Sequence, residues 1–405
     1  MISHKRQRDS VIVVGGGPAG LTAAIALAEA GLDTILAGKR PFPRDNRTTA
    51  LLAGSVTALD TLGVWNLCAA QAAPLKVMRI VDDTGRLWRA PEVKFSAGEI
   101  GLDAFGYNIE NRHLIAALER RARALPSLRI IEDEVTAVES GSGVVMVTLQ
   151  SSEILHAPLV IGADGRRSLC RTAARIGVDE RAYEQVALTI CLGHSRPHHN
   201  VSTEFHTASG PFTLVPLPGN RSSLVWVLDP VDAEDMAALG DDELSAEVER
   251  HSHSILGKVA VEPGRGLFPL SVATAHRFGA RRIALIGEAA HVIPPIGAQG
   301  LNLGLRDAAA IGEAVVSAHH RGHDIGGDEV LAAYDKMRRS DVASRTLAID
   351  FVNRSLLSDF LPVQGARGLG LYLIDRIGPL RRAVMREGVA PSSAQPRLMR
   401  GEPLH

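Results

Sequence analysis

The chain is poor in cysteine and carries almost no net charge. Its 405 residues include three cysteines, Cys68, Cys170 and Cys191, which are far apart and form no CxxC pair. This pattern argues against a disulfide framework and a structural zinc site, and it fits a reducing compartment. The formal net charge of −1 leaves no overall field to attract nucleic acid. We therefore expect neither a metal nor a nucleic-acid partner.

The chain also lacks a long uninterrupted apolar segment. Nowhere do about 18 uncharged apolar residues follow one another, as a membrane-spanning helix requires. The apolar run at 11–31 is broken by glycines, Pro18 and Glu29, so we expect a turn there, and no secretory signal before it. Segment 351–387 mixes apolar residues with arginines, which leaves two alternatives: a helix on an anionic membrane surface, or a helix packed on the protein.

What is present is a globular composition with two kinds of secondary-structure pattern. Hydrophobic residues make up 45% and charged residues 22%, as in globular proteins. We predict buried parallel strands at 11–14 and 34–37, a helix at 18–30 capped by Gly31, and a helix at about 47–62. Segments 75–104 and 181–230 have the pattern of antiparallel strands.

The first motif is "VIVVGGGPAG" (11–20), in which Gly15, Gly17 and Gly20 follow a strand and open a helix. This G-x-G-x-x-G spacing permits a tight turn, close approach of a pyrophosphate and packing of helix on strand. The phosphate would lie at the helix N-terminus, where free N–H groups favour an anion. The motif predicts dinucleotide binding; a tight strand–helix turn without a ligand is the alternative.

One part of the dinucleotide fingerprint is missing. An acidic residue is expected at the end of the second strand, where it binds the ribose hydroxyls. The sequence there is "LAGKR", with Gly38 in the acidic position and Lys39 and Arg40 after it. Either other groups hold the adenosine end, or a basic side chain lies over it.

Two further motifs follow predicted buried strands. In "PLVIGADGRRSLCR" (158–171), Asp164 stands at a natural N-cap position, and capping alone is one interpretation. In "RIALIGEAAHVIPPIGAQGLNLG" (282–304), Glu288 is the first polar side chain beyond the strand, where ligands of open α/β sheets bind. Pro294 and Pro295 restrict the chain, and the next helix offers free N–H groups.

Together the patterns predict an α/β fold with a discontinuous, Rossmann-like dinucleotide-binding domain, an inserted antiparallel-sheet domain and C-terminal helices. The dinucleotide-binding domain comprises residues 1–74, 105–180 and 276–330. The inserted domain, which would bind substrate, comprises residues 75–104 and 181–275. Residues 331–405 form the C-terminal helical region.

The three motifs resemble those of the group A flavin monooxygenases, which have the para-hydroxybenzoate hydroxylase fold. The likeness is closest to the ubiquinone-biosynthesis hydroxylases. It is carried by "RTTALLAGSVTALDTLGVW" (47–65), "GYNIENRHLIAAL" (106–118) and "GEAAHVIPPIGAQGLNLGLRD" (287–307), in the family's order and over most of the chain. Two departures are Gly38 and Glu288, which stands where the wider fold has Asp.

The resemblance implies FAD as the bound cofactor and assigns its contacts by position. The glycine loop would hold the pyrophosphate, the second motif is linked with both FAD and nicotinamide, and the third would hold the ribityl part and border the flavin ring. The cofactor residues it implies are Gly15, Gly17, Pro18, Ala19, Gly20, Arg47, Asn111, Arg112, Asp164, Gly165, Gly287, Glu288, Pro294, Gly300, Leu301 and Asn302. The implied catalytic wall facing the flavin is Pro294, Gly297 and Gln299.

The chemistry that the resemblance implies is hydroxylation of an aromatic ring. NAD(P)H would reduce FAD, and O₂ would then form a flavin C4a-hydroperoxide that the ring attacks, in a closed apolar pocket. The substrate would be a hydrophobic aromatic molecule, such as a polyprenylated phenol intermediate of ubiquinone biosynthesis. No second G-x-G-x-x-G follows a strand, because "GARGLG" (365–370) follows a helical pattern, so NAD(P)H would bind transiently.

Three hypotheses follow for function. The first is the ubiquinone-precursor hydroxylase. The second is a hydroxylase or epoxidase of the same fold acting on another aromatic compound or secondary metabolite. The third is a flavoprotein that binds FAD without oxygenation. We expect a cytoplasmic protein, with peripheral contact at the inner face of the membrane as one alternative, and the sequence does not fix the oligomeric state.

Overall fold

The computed structural model describes residues 10–39, 47–85, 91–294, 298–357, 376–389 and 395–405, together with Gly370 and Leu373. For residues 346–357 and 389 it describes the backbone alone. Gly297 of the predicted catalytic wall and most of the "GARGLG" segment lie outside the described residues.

The strands are numbered in chain order. They are β1 (Val11–Val14), β2 (Thr34–Ala37), β3 (Thr48–Leu52), β4 (Ala72–Pro74), β5 (Val77–Asp82), β6 (Val93–Ser96), β7 (Gly106–Glu110), β8 (Leu128–Ile131), β9 (Val135–Ser140), β10 (Val145–Leu149), β11 (Ile154–Ala157), β12 (Leu159–Gly162), β13 (Val178–His194), β14 (Val201–His206), β15 (Pro211–Leu217), β16 (Arg221–Leu228), β17 (Val259–Val261), β18 (Gly266–Ala275), β19 (Gly279–Ala280), β20 (Ile283–Leu285) and β21 (His291–Val292).

The α-helices are numbered in the same way. They are α1 (Pro18–Glu29), α2 (Ala53–Thr61), α3 (Asn111–Arg123), α4 (Leu169–Ala173), α5 (Pro230–Ala238), α6 (Asp241–His251), α7 (Gln299–His320), α8 (Asp328–Leu357) and α9 (Gly378–Val389).

A six-stranded sheet in the order β19-β20-β12-β1-β2-β8 carries the predicted dinucleotide-binding motifs. Its central strands are parallel: β1 pairs with β12 and β2, and β20 and β8 extend the arrangement on either side. Every residue of β1 and β12 is buried, which explains their continuous apolar sequences. Helices α1 and α7 pack against each other beside this sheet. The predicted α/β fold is confirmed.

A larger, mainly antiparallel sheet follows the path β21-β18-β13-β16-β15-β14-β5-β6, with β17 paired to β13. Alternate residues of its strands, including Phe205, Phe212 and Trp226, form an apolar core on one face. Helices α5 and α6 supply Ala233, Leu244 and Val248 to that core. The opposite face is therefore the one available to a ligand.

The segment predicted as a helix at about 47–62 is in part a strand, so that prediction was wrong for its first residues. Residues Thr48–Leu52 form β3, which pairs antiparallel with β7, and helix α2 begins only at Ala53. Strand β7, the partner of β3, lies far along the chain, so the local apolar periodicity gives no sign of the pairing. The pairing with β7 outweighs the helical pattern of the first residues, and only the residues of α2 are helical.

The domain boundaries stay a prediction. Strands from 75–104 and 181–275 share the large sheet, and the strands of the parallel sheet come from the three segments assigned to dinucleotide binding. Two strands cross this division: β13 of the large sheet begins at Val178, within the segment 105–180, and β21 pairs with β18 at the edge of the large sheet.

Candidate cofactor and substrate site

The glycine loop between β1 and α1 is shaped by close backbone contacts. Gly15 has φ +116°, and a Cβ there would overlap the carbonyl oxygen of Ala163. A Cβ at Gly20 would overlap the carbonyl oxygen of Gly15 itself. Gly17, by contrast, faces open space, because a Cβ there would have no neighbouring atom within 4 Å. Two of the glycines are thus required by the fold, and the third leaves room for a ligand.

The third motif meets the first at the start of α7. A Cβ at Gly304 would lie 3.3 Å from both the Ala19 Cβ and the Gly287 Cα. Gly287 itself has φ +59° and donates its N–H to Asp307 Oδ2 at 3.0 Å. Glu288 follows with a side chain that is more than half exposed. We call the Gly15–Gly20 loop, the turn at Gly287 and Glu288, and the first turn of α7 the cradle.

The second motif also borders the cradle, through Ala163. The N-cap residue of α4 is Ser168, whose hydroxyl accepts from the Arg171 N–H, so Asp164 is not at the N-cap position, although its carboxylate does accept from an N–H in the first turn of that helix. Asp164 instead accepts hydrogen bonds from the Ser168 hydroxyl at 2.6 Å and from the Cys170 N–H at 3.0 Å. Both carboxylate oxygens therefore stabilise the turn before α4. The next residue, Gly165, has open space beside it.

An asparagine ties the first turn of α7 to β3. Asn302 is buried; its Oδ1 accepts from the Leu52 N–H, and its Nδ2 donates to the carbonyls of Ala50 and Ala298, all within 2.6–2.8 Å. These bonds fix the distance between the helix start and the strand. Pro294 is buried just before this turn, and Gly300 and Leu301 lie in it.

The remaining predicted cofactor residues gather where β3 meets β7 and α3. Asn111 accepts the Thr49 hydroxyl at 2.6 Å, and its N–H donates to the Arg47 carbonyl at 2.9 Å. The Arg47 guanidinium lies 5.3 Å from the centre of the Phe268 ring, in the large sheet. Arg112 pairs with Glu110 at 2.8 Å. These residues are therefore near the large sheet, at one end of the cradle.

Behind the cradle lies a buried ionic network that the sequence analysis did not find. Asp307 accepts from His291 Nε2 and from Arg338 Nε, each at 2.6 Å, and all three side chains are buried. Burial by itself raises the pKa of Asp307, but the attraction of His291 and Arg338 outweighs it and lowers that pKa below its ordinary value. The partners come from three elements, so sequence spacing gives no signal for them.

The network continues to the first residue of α7. Asp341 on α8 pairs with Arg338 at 2.7 Å, with Arg306 at 2.8 Å and with Arg345 at 3.0 Å. Arg345 then donates to Gln299 Oε1 at 2.7 Å. The side chain of Gln299, which was predicted to be part of the catalytic wall, is therefore fixed by a hydrogen bond from the buried Arg345 guanidinium.

The open face of the large sheet lies against β3, the neighbour of the cradle. Ser223 of β16 accepts from the Thr48 hydroxyl at 2.8 Å and from Asn108 Nδ2 at 3.1 Å. These bonds hold the large sheet and the β3–β7 pair together, so a ligand on this face of the sheet would also be close to the cradle.

A row of side chains continues along the same face, away from β3. Val225 stands two residues beyond Ser223 and pairs with Thr213, which pairs with Glu204. We call this row, completed by Ile80 opposite Glu204, the floor. Its side chains are partly exposed.

The floor carries a charged side chain in apolar surroundings. Glu204 Oε1 lies 2.8 Å from His206 Nε2, and Glu204 Oε2 accepts from the Thr213 hydroxyl at 3.3 Å. Burial alone would raise the pKa of Glu204, but the bond to His206 outweighs it, and the pKa lies below its ordinary value. Sequence reasoning missed Glu204, because only strand register places it on this face.

The geometry of the cradle fits a dinucleotide. Pro18 and Ala19 open α1 beside the space at Gly17, so the first N–H groups of the helix point toward an anion there. Within the described residues no group of three or more His, Cys, Asp or Glu side chains could hold a metal ion.

Comparison with known proteins bears on this fit. A family model described as FAD binding domain matches residues 8–349. The chain is 36% identical to the ubiquinone hydroxylase UbiL of Rhodospirillum rubrum, over 97% of this chain and 93% of that protein. It is 31% identical to the 3-demethoxyubiquinol 3-hydroxylase of Escherichia coli, over 94% of this chain and 98% of that protein.

Solved structures show the same fold. The p-nitrophenol 4-monooxygenase PnpA of Pseudomonas putida superposes with a TM-score of 0.75 at 20% identity, covering 94% of this chain and 98% of that one. The Diels-Alderase PyrE3 superposes with a TM-score of 0.73 at 24% identity, covering 96% and 82%.

Proposed function

This chain belongs to the FAD binding domain family and is an FAD-dependent aromatic monooxygenase that uses NAD(P)H and O₂; from that premise we propose that it hydroxylates a polyprenylated phenol intermediate of ubiquinone biosynthesis. The relatives named for ubiquinone hydroxylation match nearly the whole chain, which supports a shared substrate class. Other aromatic substrates of the same fold are the alternative.

The observation that carries the proposal is the convergence of the three motifs on one point. A Cβ at Gly304 would lie 3.3 Å from both Ala19 and Gly287, and Gly15 packs on Ala163. In this proposal the Gly15–Gly20 loop and the start of α1 bind the FAD pyrophosphate, and Gly287 and Glu288 hold the ribityl part. The residues that border the flavin ring are Pro294, Gln299, Gly300, Leu301 and Asn302. At the far side of the ring are Arg47, Asn111 and Arg112. The turn at Asp164 and Gly165 supports the path by which the ligand enters.

Bound FAD would supply the redox chemistry and the activation of O₂; the chain supplies orientation, exclusion of water and charge. The N-terminal end of α7, with the Arg345 guanidinium bound to it through Gln299, would stabilise negative charge at the adjoining edge of the ring. Asn302 keeps that helix end at a fixed distance from β3.

We propose that the substrate ring lies between the cradle and the floor. Ile80 and Val225 offer apolar contacts, and the Glu204 carboxylate accepts a hydrogen bond from the phenol hydroxyl. A charge-assisted hydrogen bond to the Glu204 carboxylate increases the electron density of the phenol oxygen and of its ring, so that the ring is more readily hydroxylated. The bonds from His206 and Thr213 hold the carboxylate in place for this role.

The test is quinone profiling of a deletion strain by mass spectrometry. We expect accumulation of a precursor that lacks one ring hydroxyl, and restoration by the wild-type gene. Complementation with Gly17→Ala, which alters the open part of the cradle, should restore less. A normal quinone profile in the deletion strain would refute the substrate assignment, while a colourless purified protein would refute FAD binding itself.

We also propose a cytoplasmic protein that contacts the inner face of the membrane through α9 and the residues before it. Leu373, Ile377, Leu380 and Val384 recur at helical spacing and are 38–44% exposed. Arg382 and Arg386 are exposed on the opposite, polar side of the same helix, and arginines on the polar side of an amphipathic helix favour anionic lipid. None of the described helices is long and apolar enough to cross a membrane.

Helix α9 has an inner face as well. Met385 is buried against the 97–105 region, and Arg381 pairs with Glu99 at 2.6 Å. The double variant Ile377→Gln/Leu380→Gln should therefore fold but lose binding to anionic vesicles in a sedimentation assay. Val231→Gln, at an apolar residue that is 70% exposed elsewhere, is the control. Equal binding by both variants would contradict the membrane proposal.

A further inference from the structure

The absent acid at the end of β2 has a steric reason. A Cβ at Gly38 would lie 3.1 Å from the Gly16 nitrogen and 3.2 Å from the Gly15 nitrogen and Cα. The Gly38 N–H meanwhile donates to the Ile131 carbonyl at the end of β8. The chain at residue 38 is thus pressed between the glycine loop and β8, and a side chain there would push the loop out of place.

The neighbouring strand supplies an acid at the equivalent height. Strands β2 and β8 are parallel, with Ala37 opposite Ile131. The next residues, Gly38 and Glu132, therefore stand side by side, about 4.8 Å apart, with side-chain directions toward the same face of the sheet. A glutamate side chain is long enough to reach across that one-strand gap.

A shallow cavity at this place joins the glycine loop to Glu132. Its walls combine apolar and charged side chains. They are Leu21, Leu36, Ile130, Lys39, Arg123, Glu119 and Glu132, with Gly16 and Gly38 at the base. The cavity thus has apolar surface and two carboxylates, of which Glu132 is the one beside Gly38 in the strand register.

The charges around the cavity are arranged in pairs. Glu132 pairs with Arg123 of α3, and Lys39 pairs with Glu134 at 2.6 Å. The Arg123 contact orients the Glu132 carboxylate on the rim, and the Glu134 contact draws the Lys39 ammonium toward the strand end. A carboxylate so placed can accept two hydrogen bonds from a neutral vicinal diol.

We propose that Glu132 binds the ribose diol of the FAD adenosine, so that the acid has moved by one strand, from the end of β2 to the end of β8. The proposal rests on the FAD binding in the proposed function, but not on its substrate. It also explains how a chain with Gly38 in the acidic position retains a dinucleotide site.

The test compares two flavins that differ in the adenosine. The full-length protein freed of flavin is titrated with FAD and with FMN, and bound flavin is followed by its fluorescence. For Glu132→Gln we expect the Kd for FAD to rise about 10- to 100-fold, the loss of hydrogen bonds to a charged group. The Kd for FMN, which has no adenosine, should stay unchanged.

Glu153→Gln is the matched control, because it removes the same charge from an exposed ion pair with Arg129 of β8, and neither residue lines the cavity. We expect less than a twofold change in the Kd for FAD. Wild-type FAD affinity in Glu132→Gln, an equal loss in Glu153→Gln, or a parallel loss of FMN affinity would each overturn the proposal. Failure of the wild-type protein to bind FAD would instead overturn the proposed function.

A second ligand separates a direct contact from an indirect one. FAD that lacks the adenosine 2′-hydroxyl should bind the wild-type protein more weakly than FAD does. Glu132→Gln should no longer distinguish the two ligands. If the variant still distinguishes them as the wild type does, Glu132 does not touch the diol, and the assignment is wrong.

Discussion

At the cradle the backbone itself decides which residues are allowed, whereas on the floor the side chains decide what can bind. A Cβ at Gly15 or Gly20 would overlap a carbonyl oxygen, so only glycine fits at these positions. The resulting glycine motif can be recognised in the sequence. Glu204, Thr213 and Val225 stand on ordinary strands that would accept many residues. A flavin site is therefore visible as a motif, and a substrate site becomes visible only when strand register is known.

Alanine substitutions at two glycines of the loop test most directly whether the backbone decides which residues the cradle allows. Gly15→Ala should destabilise the protein by about 3 kcal/mol or more, because it clashes with Ala163 at a φ of +116°. Gly17→Ala, at a φ of −72° with open space, should leave the unfolding of the flavin-free protein unchanged.

Both glycine variants should bind FAD at least about tenfold more weakly, since the pyrophosphate approaches the Gly17 backbone. Urea unfolding of the flavin-free protein and FAD titration measure the two effects separately. If Gly17→Ala destabilised the fold as much as Gly15→Ala, the two glycines would not have distinct roles.

The buried network behind the cradle gives the next largest effect. Asp307→Asn should destabilise the protein by about 3–5 kcal/mol at pH 7, because Arg338 would lose a buried partner. Glu153→Gln, which removes an exposed pair with Arg129, should cost less than about 1 kcal/mol. Urea unfolding of both variants checks the difference, and equal values would show that the network does not support the cradle.

The same network predicts a pH dependence with a definite sign. The pKa of Asp307 is lower in the folded protein than its ordinary 3.8, so its stabilising contribution is complete above pH 3.8 and is lost as the pH falls through the folded pKa. Unfolding free energy of the wild type should therefore fall below about pH 4 more steeply than that of Asp307→Asn. Identical slopes would contradict an ionised Asp307.

These regions differ in how far the sequence predicts them. The strand–helix–strand unit from Val11 to Ala37 follows from apolar runs and glycines that are local in the chain. The helix predicted from residue 47 failed because β3 takes its hydrogen bonds from β7. Asp307, His291 and Arg338 form one network only after α7 and α8 pack, and no local pattern encodes that packing.

On the floor, Glu204→Gln is the corresponding test. We expect kcat/KM for a prenylated phenol to fall about 10- to 100-fold, because a neutral amide accepts a weaker hydrogen bond from the phenol hydroxyl than a carboxylate does. The Kd for FAD should stay the same, since the residue lies on the other side of the substrate space. Ser202→Ala, on the same face of β14, is the control and should change kcat/KM less than about threefold.

The pH profile distinguishes a chemical role of Glu204 from a structural one. Its folded pKa lies below the ordinary 4.5, so the wild type keeps the Glu204 carboxylate ionised, as a hydrogen-bond acceptor, throughout the range above that value. In Glu204→Gln, kcat/KM should rise with pH as the phenol ionises in solution. A profile parallel to the wild type would indicate that Glu204 does not bind the phenol hydroxyl.

The smallest expected effect on kcat/KM is at Thr213. This variant tests most directly whether the floor and the cradle act independently. Thr213→Val keeps the side-chain shape and removes the hydroxyl that donates to Glu204 Oε2 at 3.3 Å. Losing one such bond should lower kcat/KM about two- to fivefold, with FAD affinity and unfolding free energy unchanged. The remaining bond from His206 should preserve the wild-type shape of the pH profile. A loss of FAD affinity in this variant would mean that the floor supports the cradle, so that side chains of the large sheet and backbone of the parallel sheet do not act separately.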